Sequence, residues 1–310
     1  MSCSKKGEFA MQLQKSSKSS LKKESTLCCV VIALLAISCI FPLYIVLVNS
    51  FSTEEAIIRN GYSFWPKEMT LDSYKFMINT KGKLLFRSLG VSVIVTVLGT
   101  LYTMFVTVCY GYAISQDTKV FPLANKLSFF AWFTTVFTGG VIPWYILCTQ
   151  YYGIYNNIFA LFVPYGLNVF NMFIIRNSFR QIPKELTESA KLDGASNLRI
   201  FVNIAIPLAK VGIVTVVLFT AMMYWNDFYL SVYLISKSEY YPLQKLLYSL
   251  MSNVKFLTSG FTSEMLAQIS LPNNTAKLII TILSIFPVAV IFPFTQKFFV
   301  KGITVGAVKG

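Results

Sequence analysis

Long stretches without a charged side chain are what most limit the folds open to this chain. The first runs from Leu27 to Val48. At a helical rise of about 1.5 Å per residue it covers a hydrocarbon core of about 30 Å. Similar runs predict further spans at 89–114, 127–147, 158–175, 212–235 and 278–294. The composition agrees: 55% of residues are hydrophobic and only 13% are charged, against about 25% charged in an ordinary soluble domain. A signal peptide would have a shorter apolar core and a small-residue cleavage site. The first run instead leads into Phe41-Pro42 and Asn49-Ser50-Phe51-Ser52, which favours a retained span. The expected fold is all-α, a polytopic membrane helix bundle of about six transmembrane helices.

An even number of spans puts both termini on one side. With the N-terminus inside, the inner segments hold 17 of the 27 Lys and Arg residues. Positive charge gathers on the cytoplasmic side, so both termini are expected there. The net charge of +14 is then an orientation signal and gives no reason to invoke nucleic acid. Aromatic pairs such as Phe64-Trp65, Trp144-Tyr145 and Tyr240-Tyr241 flank the spans, as interfacial belts do. The expected organisation is a basic cytoplasmic segment 1–26, a transmembrane domain 27–298 with a cytoplasmic loop 179–210, and a cytoplasmic tail 299–310.

Several chemistries are excluded. There is no histidine, which removes imidazole acid–base catalysis and His metal ligation. Cys3, Cys28, Cys29, Cys39, Cys109 and Cys148 form no CxxC pair and read as small hydrophobes. No G-x-x-x-x-G-K-[ST] phosphate loop occurs, so the chain is not expected to hydrolyse ATP, nor to be an enzyme, and no cofactor or metal is expected in it.

The long inner segment between the fourth and fifth spans is the most informative. Pro183 suits a helix start, and Glu185 follows where the helix dipole favours a carboxylate. Gly194 can end that helix in a left-handed conformation, and Ser196 can cap a second one. The second helix is apolar at Leu198, Phe201, Val202 and Ala205, and Pro207 ends it or bends it into the fifth span. The product is a helix, a Gly turn and a helix at the cytoplasmic face.

At these residues the sequence resembles the EAA loop of ABC importer permeases. The family pattern, roughly E-A-A-x-x-D-G-A followed by F-x-x-I-x-x-P, stands here as Glu188-Ser189-Ala190-Lys191-Leu192-Asp193-Gly194-Ala195, then Phe201, Ile204 and Pro207. Ser189 replaces the middle alanine, and Val211 stands where many relatives have a second proline. Asn49 to Ser52, Pro66 to Tyr74, Gly139 to Pro143, Tyr224-Trp225-Asn226-Asp227 and the tail from Phe299 also look like LplC-type permeases of the maltose-type carbohydrate group. The resemblance runs from about residue 27 to the end. It implies that Glu185, Glu188, Ala190, Asp193, Gly194, Ala195, Phe201 and Pro207 form a coupling helix that docks on an ATPase. It also implies an ATPase dimer carrying ATP and Mg, a second related permease, and an extracellular solute-binding lipoprotein. The substrate it implies is a carbohydrate, an oligosaccharide or polysaccharide fragment. The location it implies is the bacterial cytoplasmic membrane, with lipid all round.

Asp227 is the one acid well within a span, beside Tyr224, Trp225 and Asn226. Acids in lipid are costly and mostly functional. The cluster fits a translocation path, with aromatic faces for sugar rings, and equally an interfacial belt or a contact with the partner permease. Proton or sodium coupling needs more ionisable groups than the spans offer. Gly139-Gly140 with Pro143 either breaks the third span along a cavity or lets helices pack closely. Lys301 and Lys309 suit lipid contact or none, and the sequon at Asn273 carries no function in a bacterial protein. The competing readings of the whole chain are a stand-alone secondary transporter or channel, and a scaffold without a substrate path.

Overall fold

A computed structural model describes residues 26, 28–66, 68–249, 252 and 274–289. The basic segment up to residue 25, the tail, Cys3, Asn273 and the last residues of the sixth expected span lie outside the described residues. Those residues are mostly helical, without strands beyond one isolated bridge between Ser52 and Met69. They fall into two compact units: one ends at Ser73 and includes Asn274–Leu278, and the other comprises the rest.

The first unit holds helix α1 (Cys28–Ser50), 23 residues and about 34 Å long by its rise. Among the described residues none of its most apolar stretch is buried. Buried Asn49 ends it. Its amide nitrogen donates to the carbonyls of Ile45 and Ser63, both at 2.8 Å, and its carbonyl accepts from the Ser63 amide at 3.0 Å. Thr53 caps helix α2 (Glu54–Asn60) by accepting from the Ala56 amide. Glu54 accepts from the amides of Asn274 and Thr275 at 3.0 and 2.9 Å and from the Thr275 hydroxyl at 2.8 Å. These residues open the apolar helix Asn274–Ala289, where exposed amides favour a carboxylate.

The second unit is built on α3 (Asp72–Ser115), 44 residues in length. Three broken helix pairs follow: α4 (Ala124–Val136) with α5 (Val141–Tyr151), bent by 114°; Ile158–Tyr165 with α6 (Val169–Arg180), bent by 54°; and α8 (Asn197–Leu208) with α9 (Lys210–Asn226), bent by 78°. Between the last two pairs lies α7 (Lys184–Leu192), and after α9 comes α10 (Tyr229–Leu234). By length and composition, two described helices can cross a membrane, or up to five if each bent pair is one span. The third expected span therefore breaks at Gly139-Gly140, where Gly140 has φ +85° and a Cβ would meet nothing within 4 Å. Among the described residues the nearest atom to a Cβ on Gly139 is that of Pro143, at 3.9 Å. Pro207 sits just before the bend at Ala209.

The helices of this unit approach closely where glycine allows it. A Cβ on Gly99 would lie 2.8 Å from the Tyr224 ring, and one on Gly111 would lie 2.7 Å from Ile175. Replacing Gly99 by Leu therefore overpacks the contact between α3 and α9, with a cost of about 1–3 kcal/mol. Gly90→Leu, where nothing lies within 4 Å, is the control. Thermal unfolding in detergent should show a lowered midpoint for the first variant and little change for the second; equal midpoints would refute the packing account.

Candidate functional site: a turn-linked helix pair and a broken-span cluster

Helix α7 stops in a Schellman motif. The Ala195 amide donates to the Ala190 carbonyl at 2.9 Å, the Gly194 amide donates to the Lys191 carbonyl at 3.0 Å, and Gly194 has φ +78°. This double closure requires a left-handed residue after the cap, which glycine adopts without cost. Asp193 is the cap residue itself. Ser196 then accepts from the Arg199 amide and starts α8. Pro183 stands at the N-cap of α7, one residue before the first helical position expected for it. Glu185, Glu188, Asp193 and Gly194 are exposed, and Ala190 and Ala195 are half-buried.

Two features tie this pair to the bundle. Helix α8 contains a π-helical turn, Phe201–Ala205, which turns Phe201 inward. Its ring lies 4.6 Å from that of Tyr112 on α3 and 6.3 Å from that of Phe179 on α6. Ala205 and Ala209 are buried with Met104, Ile175 and Val216. At the start of α7, the Lys184 ammonium donates to Asp117 at 2.7 Å. That hydrogen bond holds the Asp117 carboxyl below its ordinary range and raises the Lys184 ammonium. The carboxylate benefit is present above the usual Asp pKa and fades as pH falls through the lowered value. Both groups are exposed, so the pair positions rather than stabilises. A cleft of about 410 Å³ opens beside it, lined by Tyr112, Asp117, Phe179, Arg180, Lys184 and Glu188. On the outer side, Leu192 is 89% and Leu198 is 71% exposed. They leave apolar surface uncovered beside a shallow groove at Gly194, Ser196 and Arg199.

The second cluster gathers where the fourth and fifth spans are interrupted. Tyr224 is buried; its hydroxyl donates to the Phe162 carbonyl at 2.9 Å and lies 2.7 Å from Thr103 Oγ1. Thr103 also donates to the Tyr165 carbonyl at 3.3 Å. The Tyr165 hydroxyl donates to Asp227 at 3.0 Å, and the other carboxylate oxygen of Asp227 accepts from the Leu230 amide at 3.2 Å. Trp225 is buried and donates to the Ser284 carbonyl at 2.8 Å. Asn226 is exposed, its amide nitrogen on the Met222 carbonyl. The polar atoms of Tyr224 and Trp225 are thus spent on neighbouring backbone, while Asn226 is open and Asp227 half-buried.

A family model described as binding-protein-dependent transport system inner membrane component matches residues 23–305. The chain belongs to that family. The permease is 36% identical over 273 residues to Protein LplC of Bacillus subtilis (strain 168), covering 87% of this chain and 90% of that one. It is 34% identical over 275 residues to the polygalacturonan/rhamnogalacturonan transport system permease protein YtcP of the same organism, covering 89% and 94%. Among solved structures, a bacterial ABC transporter involved in the import of the acidic polysaccharide alginate contains a chain that superposes with TM-score 0.77 at 26% identity. That match covers 90% of this chain and 98% of the other. The permease is accordingly a membrane subunit of a binding-protein-dependent ABC importer. Its family are membrane permease subunits without enzymatic activity or a cofactor of their own, and membership implies a partner permease, an ATPase and a solute-binding protein.

Sequence reasoning missed Thr103, Asp117, Tyr165 and Lys184. Tyr165 stands between Pro164 and Gly166, a pair that signals the break it serves. Thr103 lies unmarked in an apolar run. Gly194→Ala would place a Cβ in open space but force it into the left-handed region at about 1–2 kcal/mol. Hydrogen exchange of the amides at 190–196 should accelerate by about an order of magnitude in this variant. Unchanged protection would contradict the Schellman account.

Proposed function

We propose that this permease imports oligosaccharides or polysaccharide fragments. In this reading the helix pair α7–α8 is the coupling element that carries the stroke of a separate ATPase dimer into the bundle. The observation behind it is the packing of Phe201 against Tyr112 and Phe179, which also touch each other, in one aromatic cluster. It links a surface turn rigidly to α3 and α6, so a push on the turn reaches the spans. Glu185, Glu188, Ala190, Asp193, Gly194 and Ala195 form the docking face, Phe201 transmits, and Pro207 sets the bend into α9. The exposed Leu192 and Leu198 give the ATPase apolar surface to cover, which is worth more than exposed ion pairs at Glu185 or Glu188.

ATP and Mg belong to the ATPase. The chain crosses the membrane six times, with both termini, segment 1–26 and tail 299–310 in the cytoplasm. The permease domain is 27–298, its coupling loop 179–210. A second, related permease completes the pore, and an extracellular solute-binding lipoprotein delivers the sugar. Asn226 and Asp227 face the translocation path; Tyr224 and Trp225 hold its wall. The carbohydrate class follows the names of the relatives, among them the polygalacturonan/rhamnogalacturonan and alginate systems. Membership of the importer family sets aside the stand-alone transporter.

Asp193→Arg or Gly194→Pro should abolish ATP-driven uptake and co-purification of the ATPase, while the amount of permease in the membrane stays at the wild-type level. Normal transport by either variant would sink the coupling role.

A further inference from the structure

Lys245 lies in a short helical stretch, 243–249, that follows the break of the fifth span. Its side chain is almost fully buried, at 9% exposure. Among the described residues it has no carboxylate partner within ion-pair distance. What surrounds the ammonium is aromatic: it lies 5.5 Å from the centre of the Tyr241 ring and 5.8 Å from that of Tyr248. Next to the lysine stands a pair of aromatic rings. Phe228 and Tyr248 stack at 5.3 Å with 18° between their planes, and both are exposed, at 44% and 42%. Phe228 directly follows Asp227, so this surface adjoins the proposed path.

A buried cation without a counter-charge is costly. Two ring faces offset part of that cost, but aromatic rings do not neutralise a charge. The stretch is held in place by specific contacts: the Leu243 amide donates to Ser92 of α3 at 2.8 Å, and Leu243 is buried. The backbone that carries the lysine is therefore anchored to α3. A preformed cation beside a flat aromatic face matches a pyranose ring that bears a carboxylate.

We infer that Lys245, with Tyr241, Tyr248 and Phe228, forms a subsite for the carboxylate of a uronic-acid residue, so that the carried oligosaccharide is acidic. The ammonium supplies the counter-charge, and the Phe228–Tyr248 pair supplies the stacking face. The inference rests on the importer reading above and adds the charge class of the sugar. It accords with two relatives whose names refer to acidic glycans, the polygalacturonan/rhamnogalacturonan and alginate systems.

The test uses the complete importer in proteoliposomes with its own binding protein. The probes are trigalacturonate and its fully methyl-esterified form, which is the same sugar without the charge. Lys245→Met keeps the aliphatic bulk and removes the ammonium; Lys245→Arg keeps the charge. The expected result for Lys245→Met is a KM for trigalacturonate raised at least tenfold, with uptake of the ester within twofold of wild type. Lys245→Arg should retain most of the discrimination. Equal losses on both probes, or no change on either, would overturn the subsite, the former marking Lys245 as a packing cation. Loss of the second permease from purified Lys245→Met complex would assign the lysine to a carboxylate of that subunit and also overturn it. A wild-type importer that carries the ester but not the acid would refute the inference and leave the importer reading intact. A wild-type complex with no ATP-dependent uptake of any oligosaccharide would refute that reading itself.

Discussion

In hydrocarbon no water is available to a backbone group released from a helix, so every break in a span must find its own partners. Among the described residues three helix pairs are broken, and the second unit is organised around meeting that demand. At the interruption of the fourth span, the Phe162 carbonyl is taken by Tyr224 and the Tyr165 carbonyl by Thr103. Asn168 accepts from the Asn171 amide and restarts α6. Beyond α9, Asp227 does the same for α10 through the Leu230 amide. The side chains that satisfy one helix are supplied by its neighbours, which locks the breaks of the fourth and fifth spans to each other and to α3.

That arrangement explains the composition of the Tyr224–Asp227 cluster. Two of its residues are inward-facing and fully engaged, and the acid is a cap held by a tyrosine. An acid in a span is usually a functional signal. Here the structural duty is plain, and Asn226 and Phe228 are the residues at its edge that stay exposed. Interrupted helices whose ends are pinned in this way can move as bodies, and a lever at the cytoplasmic end has something stiff to push.

The sequence was informative where local chemistry fixes the outcome. Gly194 and Ser196 announce a turn and a cap because only particular side chains serve there, and both are found in those roles. The uncharged runs located the long helices, since length and apolarity are one-dimensional properties. What the sequence hid was pairwise. Thr103 and Tyr165 are 62 residues apart, Thr103 and Tyr224 are 121 apart, and nothing in either neighbourhood marks the match. The π turn at Phe201 was hidden too. It shifts helical register without any residue type that demands it, and Phe201 packs there against two aromatic rings. The burial of Lys245 depends on a fold that charge counting does not see.

The central claim is that the turn between α7 and α8 meets an ATPase in the cytosol and hands its motion to the bundle through Phe201. Site-directed cross-linking tests it most directly. A Glu188→Cys variant, with the native cysteines replaced by alanine, would be labelled with a maleimide–benzophenone photo-cross-linker in inside-out and right-side-out vesicles. The account predicts a cross-link to the ATPase that forms in inside-out vesicles and changes in yield when ATP is bound. Labelling of residue 188 by an impermeant reagent from the outer face, or an assembled importer in which it never reaches the ATPase, would contradict it.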